Sequence, residues 1–137
     1  MSNRSEGNGF EKELCDRLSE LGWWAHNMAQ NKAGQPADII AVRNGVAVLI
    51  DAKLCSKPRF DLSRIEANQQ GAMTLWKECG NKYACFAVKL PSGQIYMVSY
   101  DLTEMALKRG ITSITAKDLY DGFFTLEEWD MEVRTCG

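Results

Sequence analysis

One stretch limits the fold more than any other: residues 36–53, Pro-Ala-Asp-Ile-Ile-Ala-Val-Arg-Asn-Gly-Val-Ala-Val-Leu-Ile-Asp-Ala-Lys. Asn44-Gly45 lies between β-branched runs, and both residue types tolerate the positive φ angles of a two-residue type I′ turn, so the stretch reads as a hairpin. With those two residues as the whole loop, Arg43 faces Val46, Ile40 faces Leu49, Ile39 faces Ile50 and Asp38 faces Asp51. Strand side chains alternate, which puts Asp38, Ile40 and Val42 on the same face as Ala47, Leu49, Asp51 and Lys53. Opposed Cβ atoms lie roughly 5 Å apart, so two carboxylates meet, with an amine two residues beyond.

Two readings of this pair compete. An ordinary strand pair could carry acidic ends into solvent. Both strands, however, are apolar on both faces, the pattern of strands covered on each side, so the acids stand where a buried sheet meets a cleft. Unpaired charges there are costly unless a cation lies between them. Such oxygen ligands suit Mg²⁺ or Mn²⁺, held by Asp38, Asp51 and the carbonyl of Ala52, with Glu11 reaching the ion directly or through water, and with waters and a substrate phosphate completing the shell. With Lys53 beside them, they point to phosphodiester hydrolysis by in-line attack of water.

At 137 residues the chain suits one domain. Residues 1–100 hold twelve Lys/Arg against ten Asp/Glu and residues 101–137 four against eight, so the net charge of −2 originates in an acidic C-terminal extension. The five cysteines are odd in number and lack a Cys-x-x-Cys spacing, which argues against a disulfide framework or zinc knuckle. Without a long apolar run or an apolar start, the expectation is a cytoplasmic protein with no membrane partner.

Residues 1–8 are polar and expected to be loose. From Gly9, Phe10, Leu14, Leu18 and Leu21 recur at helical spacing up to Gly22. Glu11 lies closer to the centre of that stripe than Glu13; it either leans over the sheet or is a flank acid favoured by the helix N-terminus. Residues 23–28 read as a first strand, and 29–35 as a polar connection that either offers Gln30, Asn31 or Lys32 to a ligand or is a plain solvent loop. His26, the single histidine, reads as structural or surface rather than catalytic. After the hairpin, Ser63 as N-cap with Glu66 three residues on predicts a helix to about Cys79. Gln69 falls on its apolar stripe, where it is either satisfied by backbone or turned to the acidic pair. Strands are expected at 83–90 and 94–100, then a short helix capped by Asp101 or Thr103, a helical turn at 116–120, and a packing segment at 123–129. The fold class is therefore α/β, a mixed central sheet flanked by helices.

Gly9-Phe10-Glu11-Lys12-Glu13-Leu14, Pro36-Ala37-Asp38-Ile39-Ile40, Asp51-Ala52-Lys53 and Ile65-Glu66-Ala67-Asn68-Gln69 resemble the successive motifs of the PD-(D/E)xK nuclease superfamily. The resemblance covers roughly residues 7 to 100 and is nearest to the Holliday-junction resolvase branch, in its archaeal and its bacterial or phage recombination-resolvase types. It implies a restriction-endonuclease-like fold and a homodimeric, metal-dependent endonuclease that nicks opposed strands of four-way DNA. Residue by residue, it puts the helix-one glutamate on Glu11, the paired acids on Asp38 and Asp51, the lysine on Lys53 and the following-helix glutamine on Gln69. Departures are Ala37 between Pro36 and Asp38, Asp51 where archaeal members commonly have Glu, and a negative net charge.

The expected function is thus resolution of four-way junctions. The alternatives are another superfamily nuclease, such as a nickase or restriction-like enzyme, and a noncatalytic nucleic-acid-binding subunit. Asn31, Lys32, Arg43, Lys57, Arg59 and Arg64 are the candidate contacts to a phosphate backbone. An apolar patch around Trp23, Trp76 or residues 123–129 is the expected dimer interface.

Overall fold

The computed structural model describes residues 3–28 and 37–136, and the side chains of 9–28 and 37–135. In chain order the elements are α1 (Asn3–Glu20), β1 (Trp24–Asn27), β2 (Ile39–Arg43), β3 (Val46–Leu54), β4 (Arg59–Asp61), a 3-10 turn (Leu62–Arg64), α2 (Ala67–Glu78), β5 (Tyr83–Lys89), β6 (Ile95–Ser99), α3 (Tyr100–Lys108), β7 (Ser113–Thr115), α4 (Ala116–Gly122), β8 (Phe124–Thr125) and α5 (Leu126–Cys136). Asn44 and Gly45 take φ of 50° and 79°, both positive as a type I′ turn requires, and β2 pairs β3 from Arg43↔Val46 to Ile39↔Ile50. The hairpin is the one its sequence predicts.

Six strands form one sheet in the order β1-β2-β3-β5-β6-β8, parallel between β3 and β5 and antiparallel elsewhere. The parallel step needs a crossover, and β4, the 3-10 turn and α2 supply it. Each face carries its own core. Phe10, Leu14 and Leu18 of α1 pack with Ile39, Ala41, Val48 and Ile50, joined by Leu126, Trp129 and Val133 of α5. Met73 of α2 lies on the opposite face with Leu49, Phe86, Val88 and Val98, together with Phe60, Ile114 and Leu119. A fully buried Leu such as Leu14 or Leu18 contributes about 2 kcal/mol of transfer free energy.

Three expectations are corrected. The backbone of α1 is helical from Asn3, so residues 3–8 are not a loose segment. Ser63 belongs to the 3-10 turn; α2 begins three residues later, with Glu66 as N-cap and Gln69 as its capping-box partner. Ser99, not Asp101 or Thr103, caps α3 by accepting from the Leu102 N–H at 3.3 Å. In the acidic C-terminal segment β7 pairs β4, β8 pairs β6, and α5 places Leu126, Trp129 and Val133 in the core, in keeping with the packing expected of residues 123–129.

Candidate active site

Asp38 is the residue before β2, and its backbone keeps the hairpin register: its N–H donates to the Ile50 carbonyl at 3.1 Å, and its carbonyl accepts from Met28 at 2.8 Å. Its Oδ2 accepts the Ala52 N–H at 2.8 Å. Backbone groups two residues apart on a strand point the same way, so the Ala52 carbonyl faces the side where β2 has ended. Asp51 projects beside Asp38 on the face that α2 covers, and the two carboxyls share a hydrogen bond. Glu11 comes from the other face, since α1 packs there, and reaches Asp38 past the end of the sheet, also with a hydrogen bond.

Burial dominates the electrostatics. Asp51 is 2% exposed, and burial, reinforced by Asp38 and opposed by Lys53, pushes its carboxyl up to about 7. Burial and then the charge of Asp38 raise Glu11 to about 7 as well. Lys53 is 7% exposed and meets three oxygens: the Arg64 carbonyl at 3.0 Å, Gln69 Oε1 at 3.1 Å and Asp51 Oδ2 at 3.0 Å. The last is a charge contact without hydrogen-bond alignment, so Asp51 Oδ2 is buried with no hydrogen-bond donor. Gln69 Oε1 also accepts the Glu66 N–H at 3.0 Å.

This donor set is all oxygen, and the orphaned Asp51 Oδ2 leaves a lone pair for a hard cation. No group of three or more His, Cys, Asp or Glu among the described residues is arranged to hold a metal ion. The oxygens present suit a hard divalent cation without forming a closed cage of acids among the described residues.

The basic residues divide. Arg43 is 11% exposed at the turn end of the hairpin, paired with Asp130 at 3.1 Å and stacked over Trp23 at 5.0 Å, so it is a structural residue and not a phosphate contact. Arg59 pairs with Asp61 at 2.9 Å, and Arg64 donates to the Leu54 carbonyl at 2.9 Å, pinning the chain just after Lys53. Lys57 and Arg59 are exposed near the end of β3 where the acids lie. Gln30, Asn31, Lys32 and Pro36 fall outside the described residues. His26 is exposed and stacks on Trp24 at 5.8 Å. Trp23, buried against Trp129, is part of the core rather than an interface. Sequence reasoning missed the Arg64 carbonyl and the Glu66 N–H, both backbone groups that any residue type supplies; the Glu66-x-x-Gln69 spacing was the one available signal.

A mixed sheet flanked by helices, with two acids and a lysine at one end of a hairpin, is the restriction-endonuclease-like architecture of PD-(D/E)xK nucleases. The model of the archaeal Holliday junction resolvase (Hjc) family matches residues 2–128, and the chain belongs to that family. Among solved structures, Archaeoglobus fulgidus Hjc, a Holliday junction resolvase from an archaeal hyperthermophile, superposes with a TM-score of 0.68 at 18% identity over 92% of this chain and 96% of its own. No curated protein matches the chain in sequence.

Proposed function

We propose that Asp38, Asp51, Glu11, Lys53 and Gln69 carry out the reaction of the Hjc family here: hydrolysis of phosphodiesters in two strands of a four-way DNA junction. The observation that carries this reading is the pairing of Asp38 with Asp51 at the sheet end, with the Lys53 ammonium 3.0 Å from Asp51. A bound Mg²⁺, or Mn²⁺, would polarise the scissile phosphate and acidify a water. Asp38, Asp51 and the Ala52 carbonyl would hold that ion, while Glu11 orients Asp38 and accepts a proton from the attacking water. Lys53 positions the water or balances negative charge as it grows on the phosphoryl oxygens. The new P–O bond forms to water oxygen as the opposite P–O bond breaks, and the leaving oxygen takes up a proton. Gln69 fixes Lys53.

Lys57 and Arg59, with Asn31 and Lys32, are the proposed contacts to the DNA backbone. Cutting two opposed strands calls for two sites at fixed spacing, so the working unit is a twofold-symmetric homodimer. No helix among the described residues is long and apolar enough to cross a membrane.

Lys53→Ala tests the assignment. Junction affinity should stay within about threefold while single-turnover cleavage falls by about 10² or more, because the charge is needed in the transition state and not for docking. Undiminished cleavage would remove Lys53 from the chemistry.

A further inference from the structure

We propose that the backbone N–H of Glu66 is a positioning group for Lys53, acting through the side-chain amide of Gln69; for its chemistry this rests on the role given to Lys53 above. Gln69 Oε1 accepts from two donors, the Glu66 N–H at 3.0 Å and Lys53 Nζ at 3.1 Å. An amide oxygen offers two lone pairs, so both are taken. The reversed amide would present its own donors to an N–H and to a cation, and that flip state is excluded. A glutamine held by the lysine alone could turn about its last torsion, which has a broad potential. The N–H is a second, fixed point, because it belongs to the chain at the start of α2.

The same entry to α2 supplies the other anchor. The Ile65 N–H closes the 3-10 turn on the Leu62 carbonyl at 3.1 Å, and the chain then extends through Ile65 (φ −82°, ψ 116°). The Arg64 carbonyl is left free to take a proton of Lys53 at 3.0 Å. Leu62 and Ile65 are both buried, which fixes the turn against the core. An ammonium has three protons. Two are committed to the Arg64 carbonyl and the Gln69 amide, and these two contacts hold the nitrogen 3.0 Å from Asp51 Oδ2. The socket thus fixes where the ammonium stands beside the acid pair, and the Glu66 N–H is one of its fixed points.

Glu66→Pro removes this N–H with little disturbance: φ at residue 66 is −83°, within reach of proline, and Ile65 already has the extended ψ that precedes one. Glu66→Ala keeps the N–H and deletes the carboxylate. The alanine variant sets the baseline, because like the proline variant it lacks the carboxylate that takes the Gln69 backbone N–H in the capping box. The proline variant should be slower in single turnover by about fivefold to tenfold, the worth of one hydrogen bond, with junction affinity unchanged. In proton–nitrogen correlation spectra of the free protein, the Lys53 ammonium signal should be sharp in the wild type and the alanine variant and broadened in the proline variant. Gln69→Met, which needs no proline to fold, should broaden the same signal and speed hydrogen exchange at the Glu66 amide. A proline variant with wild-type rate and ammonium signal, an alanine variant as slow as the proline one, or a Gln69→Met protein with an unaltered Glu66 amide would each overturn the proposal. Wild-type protein inactive on junctions would instead undo the hydrolytic reading, with the ammonium and exchange measurements still deciding the socket.

Discussion

Asp51 lies between two opposing influences: burial and a neighbouring carboxyl favour its protonated form, and Lys53 favours the ionised one. Burial wins, because desolvating a carboxylate at 2% exposure outweighs a single, poorly aligned charge contact. Glu11 and Asp51 both hold their protons to about 7, whereas in an unfolded chain they release them near pH 4. Between those values the folded state binds more protons than the unfolded one, so stability from these groups is complete below about pH 4 and lost as pH rises through 7. With EDTA present, the melting temperature of the wild type should therefore fall from pH 5 to 7.5 relative to a Glu11→Gln/Asp51→Asn variant, and Mg²⁺ at pH 7.5 should reverse the fall. Parallel profiles for the two proteins would contradict the raised values. The two acids were legible in the sequence because an Asn-Gly bend sets their register within 14 residues. Arg43 was not: its partner Asp130 lies 87 residues away, and nothing near Arg43 announces it.

Elements differ in the same way. The hairpin and α1 followed from local chemistry, a turn dipeptide and a 3.6-residue apolar period. The start of α2 did not. Ser63 is the better intrinsic cap, yet burial of Leu62 and the bond from its N–H to the Thr112 carbonyl at 2.9 Å draw that turn into the second, two-stranded sheet. Glu66 and Gln69 take over the capping box as a result, and Gln69 is brought to Lys53. Helix α5 also depends on distant contacts. Asp130, 2% exposed, accepts from Trp23 Nε1 at 2.8 Å, Arg43 at 3.1 Å and Arg134 Nε at 2.9 Å, clasping α5 to β1 and β2. Removing one member of a buried ion pair strands the other, so Asp130→Ala should destabilise by about 3 kcal/mol and lower the melting temperature by about 10 °C. Single-turnover cleavage below the transition should be unchanged, because the clasp is at the turn end of the hairpin. A loss of under about 1 kcal/mol would show that the network is not structural support.

Strands β7 and β8, from the last quarter of the sequence, pair with β4 of the two-stranded sheet and β6 of the six-stranded one. The acidic surplus of residues 101–137 reflects solvent-facing sides of α3, α4 and α5, whose apolar sides fill both cores. Lys57 and Arg59 are exposed in the chain that follows β3, whereas the surplus of acids lies in residues 101–137. The acid pair and Lys53 are proposed to cut DNA at branch points, in pairs. This is tested most directly by offering purified protein four-way junction and linear duplex of the same sequence, with Mg²⁺ or EDTA, and mapping the incisions on each strand. Paired, symmetric nicks are expected in the four-way substrate, dependent on Mg²⁺, with linear duplex left intact. Equal cutting of linear duplex, or incision unaffected by EDTA, would contradict the proposal.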